Sequence, residues 1–562
     1  MSDSGKIYAA FFGDAEHQVE WKNEEEKKLL WFFDDLHCPH PISPLYFDIG
    51  GWWGVTCEYM YRRFGAPIGE QWIAKKIGGY VYTTIVPNSP DTDFKSMLNY
   101  YFTEMPIYAG KFLDWWRDRY LPEILKNYEY MDKFDAAAKS LAEYLIHLED
   151  CLDIQERHFK IHWILNLAQF QAGLQFRALY KEVIGEIDET NIGKIIVSDG
   201  DRNWDSLKAL WEMKEYIKGS PELTEFIKKP TTEIMASISS VPSGGALLKK
   251  VEAYQEEYGY KSVFPHEYIY KTWKEDPTPI YEALRIYVAE DYDFSKAYEN
   301  CKVEQKKAIA EMLGKVKDPS KRETLEKAMD LAIHMAPLTP DHHFYIDQAC
   351  YARMRLMFLE LGKKFVDEGV IDDPEDIFMF EYEEIRRIAF NREAFDSKAL
   401  VKKRRAEMAE AAKRVPREWY GTATHWHVYE EPYKALWGWP YKFDREMELK
   451  KEAEAAGSLK GLPASPGVAE GIARFVASPA EFDQIQNGDI LVCKTTNPAW
   501  VVSFSKIAGL ITDTGGALSH PAVVSREFGI PAVTGTSKAT RVIKSGMRVR
   551  VDGSAGMVTI LG

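Results

Sequence analysis

The sequence predicts a multidomain protein, with a large, mainly α-helical N-terminal body followed by a smaller C-terminal domain of mixed α/β structure. The length of 562 residues suffices for about three or four domains of ordinary size. Composition changes near Gly457, because the last 106 residues hold 14 of the 37 glycines but only five of the 75 aromatic residues. Charge changes at the same place, from −18 before it to +3 after it.

Residues 1–110 are predicted to form an irregular part of the body with one small β element. Prolines and glycines interrupt any regular pattern between Pro39 and Gly54. The run GGYVYTTIV, which begins at Gly78, has the β-branched and aromatic character of a strand.

Residues 111–444 are predicted to be helical. Leucines 141, 145, 148 and 152 repeat at helical spacing in a stretch that lacks proline, and similar patterns cover residues 302–336 and 347–368. Acidic and basic residues fill the other faces of these patterns, as expected for amphipathic helices.

Residues 445–458 are predicted to be a linker, because they are charged, rich in alanine and end in Gly-Ser. In residues 459–562, short β-type runs begin at Gly471, Asp489, Ala508 and Met547. A helix-like segment from Pro521 lies between the third and fourth runs, which indicates a mixed α/β domain.

Composition also excludes several classes of protein. The formal net charge of −15 disfavours nucleic acid and anionic membranes as partners. No apolar run reaches the ~18 residues of a membrane span, and the N-terminus lacks the features of a secretory signal. The six cysteines include no C-x-x-C pair, which argues against a disulfide framework or a structural zinc site. A cytoplasmic protein is therefore expected.

The segment TGGALSHPAVVSREFGIPAV, residues 514–533, places a histidine at a predicted turn from a strand to a helix. Gly515 begins a glycine pair that permits a tight turn, Ser519 is a good N-cap, and Pro521 suits a first helical turn. His520 would then lie beside free backbone N–H groups that favour phosphate. A neutral imidazole there can accept and pass on a phosphoryl group, although the spacing equally fits a histidine bonded to a neighbouring carbonyl.

This segment resembles the signature of the swivelling phosphohistidine domain of the PEP-utilising enzymes, which include PEP synthase, pyruvate phosphate dikinase and rifampin phosphotransferase. Three more stretches resemble the family in the same order: GLPASPGVAEGIA from Gly461, KTTNPAW from Lys494 and VDGSAGMV from Val551. The resemblance implies that His520 carries the phosphoryl group and that Ser519 positions the imidazole or contacts phosphate.

Three further residues are candidates for phosphate binding in this domain. Arg526, nearly two helical turns after the histidine, is a candidate for contact with phosphate or with a docked domain; a surface pair with Glu527 is an alternative. Thr495 and Thr496 are candidates for lining the entrance to the same phosphate site. The alternative is that they are ordinary hydroxyl residues at the end of a strand.

PEP-utilising enzymes that make or use PEP also carry an ATP-grasp domain and a PEP/pyruvate barrel. The body of this sequence resembles neither. Its stretch SGGALLKK from Ser243 lacks the G-x-x-x-x-G-K-[ST] spacing of a phosphate-binding loop, and nothing resembles a PEP/pyruvate barrel. Family members load the histidine from an ATP-grasp domain, so the resemblance implies a separate ATP-grasp subunit. That partner would bind ATP and Mg²⁺, and no tightly bound prosthetic group is expected.

The body is expected to hold the phosphoryl acceptor. DHHFYIDQACYARMR from Asp341, LGKKFVDEGVIDDPEDIF from Leu361 and DDLHCPHPISPL from Asp34 resemble the helical region of rifampin phosphotransferase and PEP-synthase-like proteins. A histidine subunit without its own ATP-grasp domain resembles the two-component aryl phosphate synthases, which implies transfer to a phenol or cresol. A rifampin-like antibiotic or pyruvate as acceptor, and a non-enzymatic regulatory phosphocarrier, stay open.

Transfer to a phenol requires a base and cations around the moving group. His343 and Asp347 are four residues apart on a predicted helix, so the carboxylate is expected to orient the imidazole as the base. Arg353 is the candidate phosphate clamp, and Asp341 and His342 are candidates for binding substrate.

Other histidines form secondary candidates. His37 and His40, with Asp34 or Asp35, make a second substrate-binding candidate, although loop histidines are more often structural. His158 and His162 are one helical turn apart, but a third ligand is not evident from the sequence and no metal site is predicted. Because one histidine must visit a donor and an acceptor, the linker is the expected hinge.

Overall fold

The structure is a computed structural model, and the residues that it describes are 19–34, 37–51, 53–65, 69–86, 88, 91, 93–136, 138–185, 189–289, 291–414, 416–417, 419–421, 458–477, 479–496, 498–515, 520–536 and 538–561. The predicted linker, apart from Ser458, and Ser519 and Asp35 lie outside these residues. Within the described ranges, no helix combines the length and the hydropathy that crossing a bilayer requires.

Most of the region before residue 422 is helical, as predicted. The helices up to residue 184 are α1 Glu24–Lys28, α2 Thr56–Phe64, α3 Phe94–Trp115, α4 Leu121–Asp132 and α5 Leu141–Ile184. They are followed by α6 Glu189–Ile195, α7 Arg202–Lys218, α8 Pro221–Phe226, α9 Thr231–Ser237, α10 Gly244–Tyr258, α11 Thr278–Ala289, α12 Phe294–Gly314, α13 Pro319–Met335 and α14 Leu338–His342. The last of the body are α15 Ala349–Asp367, α16 Tyr382–Phe390 and α17 Ser397–Ala411.

Helix starts follow local capping chemistry. Helix α5 begins with a reciprocal cap, in which Ser140 Oγ accepts the Glu143 N–H at 3.3 Å and Glu143 Oε2 accepts the Ser140 N–H at 3.0 Å. Asp201 caps α7 by accepting the N–H groups of Asn203 and Trp204. π-Helical turns interrupt the regular pattern at Tyr46–Gly50, Trp116–Tyr120 and His343–Gln348.

The chain divides into two compact units. Unit 1 consists of Met1–Phe170, Phe264–Tyr270 and Tyr345–Asp444; unit 2 consists of Gln171–Val263, Lys271–Phe344 and Arg445–Gly562. The helical body predicted as one domain over 111–444 is therefore shared between the two units. Helix α5 contributes to both, since it runs through Phe170.

Unit 1 contains the small β element that the sequence predicts. Its strands β1 Leu30–Phe33, β2 Gln71–Ile77, β3 Tyr80–Val86 and β4 Trp419–Gly421 form an antiparallel sheet in the order β2-β3-β1-β4. Gly78 and Gly79 close the β2–β3 hairpin with φ of 59° and 93°, values that a two-residue turn of this hand requires. Buried aromatic residues such as Trp31, Tyr80 and Tyr82 form the core beside it.

The C-terminal part of unit 2 is the predicted mixed α/β domain. Its strands are β5 Ser458–Lys460, β6 Leu462–Ser465, β7 Val468–Phe475, β8 Ile490–Cys493, β9 Gly509–Thr512, β10 Ala532–Thr534, β11 Arg548–Asp552 and β12 Met557–Ile560. They form one sheet in the order β5-β12-β11-β7-β8-β9-β10-β6, in which β7 to β10 are parallel neighbours. The β-type runs predicted from the sequence correspond to β7, β8, β9 and β11. The predicted helix-like segment corresponds to α18 His520–Glu527, and a short helix, α19 Ala539–Val542, follows it.

The C-terminal domain packs against the helical part of unit 2 through a shared apolar core. Buried residues of α7 and α11, such as Trp204 and Leu284, belong to the same hydrophobic cluster as Trp500 and Phe504 of the C-terminal domain. The rings of Tyr292 and Phe528 stack with centroids 5.5 Å apart. In this conformation the domain is therefore docked rather than free.

Candidate functional site

His520 lies at the edge of the C-terminal sheet where the parallel strands end. It is the first residue of α18, which follows β9, and β9 lies between its parallel neighbours β8 and β10. The carboxyl edge of parallel strands is the usual ligand site of α/β sheets. The N-terminus of α18 adds a partial positive charge there, which favours phosphate.

The turn that leads from β9 to His520 is anchored on two sides. Thr514 donates from its N–H and its Oγ1 to the carbonyl of Lys494, at 2.9 and 3.1 Å. Asp513 accepts the N–H of Thr540 at 3.0 Å and also accepts from the Thr540 hydroxyl. The start of the turn is therefore held between the end of β8 and the start of α19.

Thr495 and Thr496 lie just after the carboxyl end of β8. They directly follow Lys494, whose carbonyl accepts both hydrogen bonds from Thr514. The end of β8 and the start of the turn toward His520 therefore lie side by side. Thr496 is buried and Thr495 is half-buried. A phosphate contact from either hydroxyl stays a prediction.

Arg526 contacts the helical part of unit 2. Its Nη1 donates to the carbonyl of Ala464 at 2.8 Å. A Cβ placed on Gly193 of α6 would come within 2.7 Å of the Arg526 Cδ, so this side chain lies directly over that glycine. Arg526 thus contacts the helical part of unit 2 at Gly193, and its predicted contact with phosphate stays a prediction.

The predicted pairing of His343 with Asp347 assumes regular α-helical spacing, whereas His343–Gln348 is a π-helical turn. The pairing stays a prediction. Within unit 1 the imidazole beside Asp347 belongs to His162, whose Nδ1 lies 3.1 Å from Asp347 Oδ1.

Arg353, the candidate phosphate clamp, forms an ion pair with Asp132. Its Nε and Nη2 each donate to the Asp132 carboxylate at 2.8 Å, and its Nη1 donates to the Ala349 carbonyl at 3.2 Å. The guanidinium carbon also lies 4.0 Å from the centre of the Tyr128 ring. These contacts give Arg353 a role in holding α4 against α15, because a bidentate pair satisfies the guanidinium in fixed geometry.

Asp341 and His342, expected to bind substrate, make internal contacts of unit 2. Asp341 Oδ1 accepts the N–H of Arg202 at 3.0 Å at the start of α7, and burial raises the pKa of this carboxyl to about 7. His342 is buried and its Nδ1 donates to the Leu338 carbonyl at 2.7 Å. Both contacts are those of packed helix ends.

His158 and His162 have different partners, although they are one turn apart. His158 Nε2 lies 3.1 Å from the Asn127 amide nitrogen, and burial, with Arg157 and Arg353, lowers the pKa of this histidine to about 3. His162 Nε2 lies 2.7 Å from the Asn166 amide nitrogen, and its Nδ1 lies 3.1 Å from Asp347 Oδ1.

His37 forms a histidine–carboxylate pair in unit 1. Its Nδ1 lies 2.9 Å from Asp34 Oδ1, and its backbone N–H donates to the same oxygen at 3.2 Å. The ring of His266 meets the His37 ring edge-on, with centroids 5.2 Å apart. His40, by contrast, packs its ring on Phe264 and Tyr270, with centroids 4.6 and 5.0 Å away.

Two members of this region were missed by sequence reasoning. His266 Nδ1 lies 3.3 Å from the Tyr46 hydroxyl. Glu267 is buried and accepts the Ser43 N–H at 2.7 Å and the Ser43 hydroxyl at 2.6 Å; burial raises the pKa of this carboxyl to about 7, against the lowering effect of its hydrogen bonds. These partners lie 220 and 224 positions away in the sequence, and no local motif marks either residue.

Comparison with known proteins locates two recognisable segments. Residues 485–556 match the family model of the PEP-utilising enzyme mobile domain, and residues 158–339 match that of the rifampicin phosphotransferase fourth domain. The first match covers β8 to β11 with α18, and the second covers most of the helical part of unit 2.

Several curated proteins are similar to the chain. The uncharacterized phosphotransferase YvkC of Bacillus subtilis is 28% identical over 98% of this chain and 67% of its own length. A rifampicin phosphotransferase of Streptomyces sviceus is 27% identical over 63% of this chain and 39% of its own length. A probable phosphoenolpyruvate synthase of Staphylothermus marinus is 44% identical over 24% of this chain and 16% of its own length. The last two relatives are thus much longer than the part that this chain matches.

These similarities confirm the predicted resemblance to PEP-utilising enzymes and to rifampicin phosphotransferase. His520 falls inside the segment that matches the mobile domain. The candidate site therefore consists of His520 at the carboxyl edge of the C-terminal sheet and, separately, the histidine–carboxylate pairs of unit 1.

Proposed function

We propose that this chain is a phosphotransferase component that carries a phosphoryl group from ATP on His520 and transfers it to the hydroxyl of a phenolic compound, such as phenol or a cresol. The observation that carries the proposal is the position of His520, which begins a helix at the carboxyl edge of parallel strands within the mobile-domain match. A phosphate is favoured at that position by backbone N–H groups and by the helix dipole.

The loading step uses the imidazole of His520 as nucleophile. An N–P bond forms to the β-phosphorus of ATP while the bond from that phosphorus to the AMP oxygen breaks. Water then cleaves the γ-phosphoryl group from the histidine-bound intermediate, so that AMP and inorganic phosphate leave and His520 holds one phosphoryl group. In the second step the acceptor oxygen displaces the imidazole nitrogen from phosphorus.

We also propose that ATP and Mg²⁺ are bound mainly by an ATP-grasp partner. The sequence has no G-x-x-x-x-G-K-[ST] loop to hold the phosphates. Mg²⁺ bound on the partner would neutralise the charge of the ATP phosphates. The Arg445–Ser458 linker is the proposed hinge between donor and acceptor positions.

A second acceptor class is favoured by one comparison. Two rifampicin phosphotransferases match 63% of the chain, and residues 158–339 match the family model of the rifampicin phosphotransferase fourth domain. A rifampicin-like antibiotic, which also offers hydroxyl oxygens, is therefore the alternative acceptor.

Labelled ATP tests both steps. The chain is incubated with β-³²P-ATP and an ATP-grasp protein supplied in trans, and acid-labile label is followed with no acceptor, with p-cresol or with rifampicin. Label should appear only with the partner and should discharge onto p-cresol. His520→Ala should abolish labelling, whereas His334→Ala, a change at an exposed histidine of α13, should not.

Each other outcome has a definite meaning. Discharge onto rifampicin alone would replace the phenol by the antibiotic class. Label that no acceptor discharges would favour a regulatory phosphocarrier, and equal labelling of His520→Ala would reject the proposed carrier residue.

A further inference from the structure

We propose that Thr512 is a positioning residue of the turn that leads to His520, and that its hydroxyl directs the backbone N–H of Gly515 toward the phosphoryl group that the histidine carries. The inference rests on the proposed function, because it concerns the carrier histidine of that reaction. It identifies one backbone donor for the phosphoryl oxygens and the side chain that orients it. All the residues involved belong to the C-terminal domain of unit 2.

Thr514 is held at both ends of its backbone. Its N–H and its Oγ1 donate to the Lys494 carbonyl at 2.9 and 3.1 Å. Its own carbonyl accepts a hydrogen bond of 2.6 Å from the hydroxyl of Thr512, the last residue of β9, which is fully buried. The Thr514 carbonyl therefore points toward the interior of the domain.

The planar peptide bond then sets the direction of the next N–H group. In a trans peptide the C=O of one residue and the N–H of the following residue point in opposite directions. Because the Thr514 carbonyl points toward Thr512, the Gly515 N–H points away from it. Gly515 is half-buried, and its N–H has no acceptor among the residues that the structure describes. A backbone donor of this kind is available to water or to a ligand.

Gly515 has the conformation and the location that a phosphate donor needs. Its φ of 124° lies in the region that favours glycine, and the missing side chain lets a bulky anion approach the N–H closely. It lies three residues after the end of β9, at the same carboxyl edge of the sheet as His520. A charged phosphoryl oxygen is a stronger acceptor than water, so the donor gains most when the histidine is loaded.

Thr512 is itself fixed in place by a neighbouring segment. The N–H and the Oγ1 of Thr536 both donate to the Thr512 carbonyl at 2.9 Å. Thr536 is fully buried and lies two residues after the end of β10. The hydroxyl that orients the Thr514 carbonyl is therefore attached to a backbone that is held from the next parallel strand.

Thr534 of β10 shows that a threonine in this sheet does not need a bonded hydroxyl. It is fully buried, as Thr512 is, but its Oγ1 has no hydrogen-bond partner within the described residues. The same residue type thus occurs at the ends of two adjacent parallel strands, once with a directed hydroxyl and once without. Thr534 is the matched control for Thr512.

The first experiment measures loading with a donor that needs no partner protein. Potassium phosphoramidate is added to the full chain; the His520 imidazole nitrogen bonds to phosphorus, and ammonia leaves with the electron pair of the broken N–P bond. Thr512→Val should load roughly tenfold more slowly or worse, the value of one hydrogen bond to a charged group. Thr512→Ser, which keeps the hydroxyl, should load at nearly the wild-type rate, and so should Thr534→Val. Circular dichroism checks that each variant is folded.

The second experiment observes the Gly515 N–H in the wild type, and so does not depend on any variant. The sequence contains only two Thr-Gly pairs, at 514–515 and 534–535. Protein with ¹³C-carbonyl threonine and ¹⁵N-glycine therefore gives two signals in a carbonyl-to-amide NMR spectrum. Loading should move the Gly515 proton to lower field and slow its exchange with solvent, while the Gly535 signal stays in place. The shift of Gly515 should be smaller in Thr512→Val and unchanged in Thr512→Ser.

The outcomes separate this inference from the proposed function. If wild-type His520 takes a phosphoryl group and the Gly515 signal does not move, the donor is rejected and the carrier stands. Equal loading rates in Thr512→Val and the wild type, or an equal loss in Thr512→Ser, would reject the role of the hydroxyl. If His520 takes no phosphoryl group from phosphoramidate or from labelled ATP with the partner, the proposed function fails and this inference falls with it.

Discussion

Lys261 is the residue whose burial has the clearest consequence for stability. Its side chain is 3% exposed, and its Nζ donates to Ser206 Oγ and, at 3.4 Å, to the Tyr254 hydroxyl. The Trp273 ring centre lies 5.1 Å from Nζ. Burial, with a smaller effect of Arg202, lowers the pKa of this lysine to about 7 from a model-compound value of 10.5. The folded protein therefore holds this amine neutral over much of the alkaline range.

The lowered pKa of Lys261 predicts that the free energy of unfolding depends on pH. Between pH 7 and 10.5 the unfolded chain binds a proton that the folded chain does not, so the free energy of unfolding rises with pH across that window. Lys261→Met should remove this rise and should stabilise the protein at pH 6 by roughly 2 kcal/mol. Urea unfolding at pH 6 and pH 9 measures both effects.

The matched control for Lys261 is an exposed lysine of α10. Lys249→Met should change the free energy of unfolding little and equally at the two pH values, because surface substitutions have small effects. An unchanged pH dependence in Lys261→Met would show that this amine is protonated in the folded state.

At the scale of the element, the strand–turn–helix of β9 and α18 depends on Asp513. Its carboxylate accepts from the N–H and hydroxyl of Thr540, and so ties the turn before His520 to α19. Asp513→Ala should slow phosphoryl loading about tenfold, because the turn no longer holds His520 in place. It should also cost about 1–3 kcal/mol of stability, since buried partners lose their acceptor.

A second turn of the same domain provides the control for Asp513. Asp552 accepts the N–H groups of Ser554 and Ala555 in the turn between β11 and β12. Asp552→Ala should lower the melting temperature and leave the loading rate unchanged. Equal loading rates in the two variants would show that Asp513 serves stability alone.

Periodicity predicts elements well and side-chain partners poorly. The leucine pattern from Leu141 correctly indicated α5, because an amphipathic helix repeats its apolar residues locally. The same reasoning assumed an α-helix for His343 and Asp347, but His343–Gln348 is π-helical. A π turn depends on packing around it and leaves no mark in the apolar spacing.

At the scale of the whole molecule, the docking of the C-terminal domain within unit 2 is open to test. Arg526 lies over Gly193 of α6, and the Tyr292 and Phe528 rings stack. Gly193→Leu should force Arg526 away and weaken docking by roughly 1–3 kcal/mol, the usual cost of overpacking. Hydrogen exchange in residues 498–505 and 278–289 should become about tenfold faster or more.

The control for docking is a helical glycine with open space around it. A Cβ on Gly245 of α10 would meet nothing within 4 Å, so Gly245→Leu should leave the exchange rates of those two segments unchanged. Equal exchange in the two variants would show that Gly193 does not limit docking.

The sequence by itself determined the features that depend on neighbouring residues. The β9–turn–α18 unit, the start of α18 at His520 and the strand after Gly78 follow from glycines, prolines and alternation within about ten positions. These signals act before tertiary structure forms, because they restrict φ and ψ locally.

Only the tertiary structure decided how distant parts of the chain meet. It divided the predicted helical body between two units and paired Arg353 with Asp132. It also placed His266 beside His37. Such contacts join residues more than 200 positions apart. The packing of whole elements sets their geometry, and the spacing of residues along the sequence does not predict that packing.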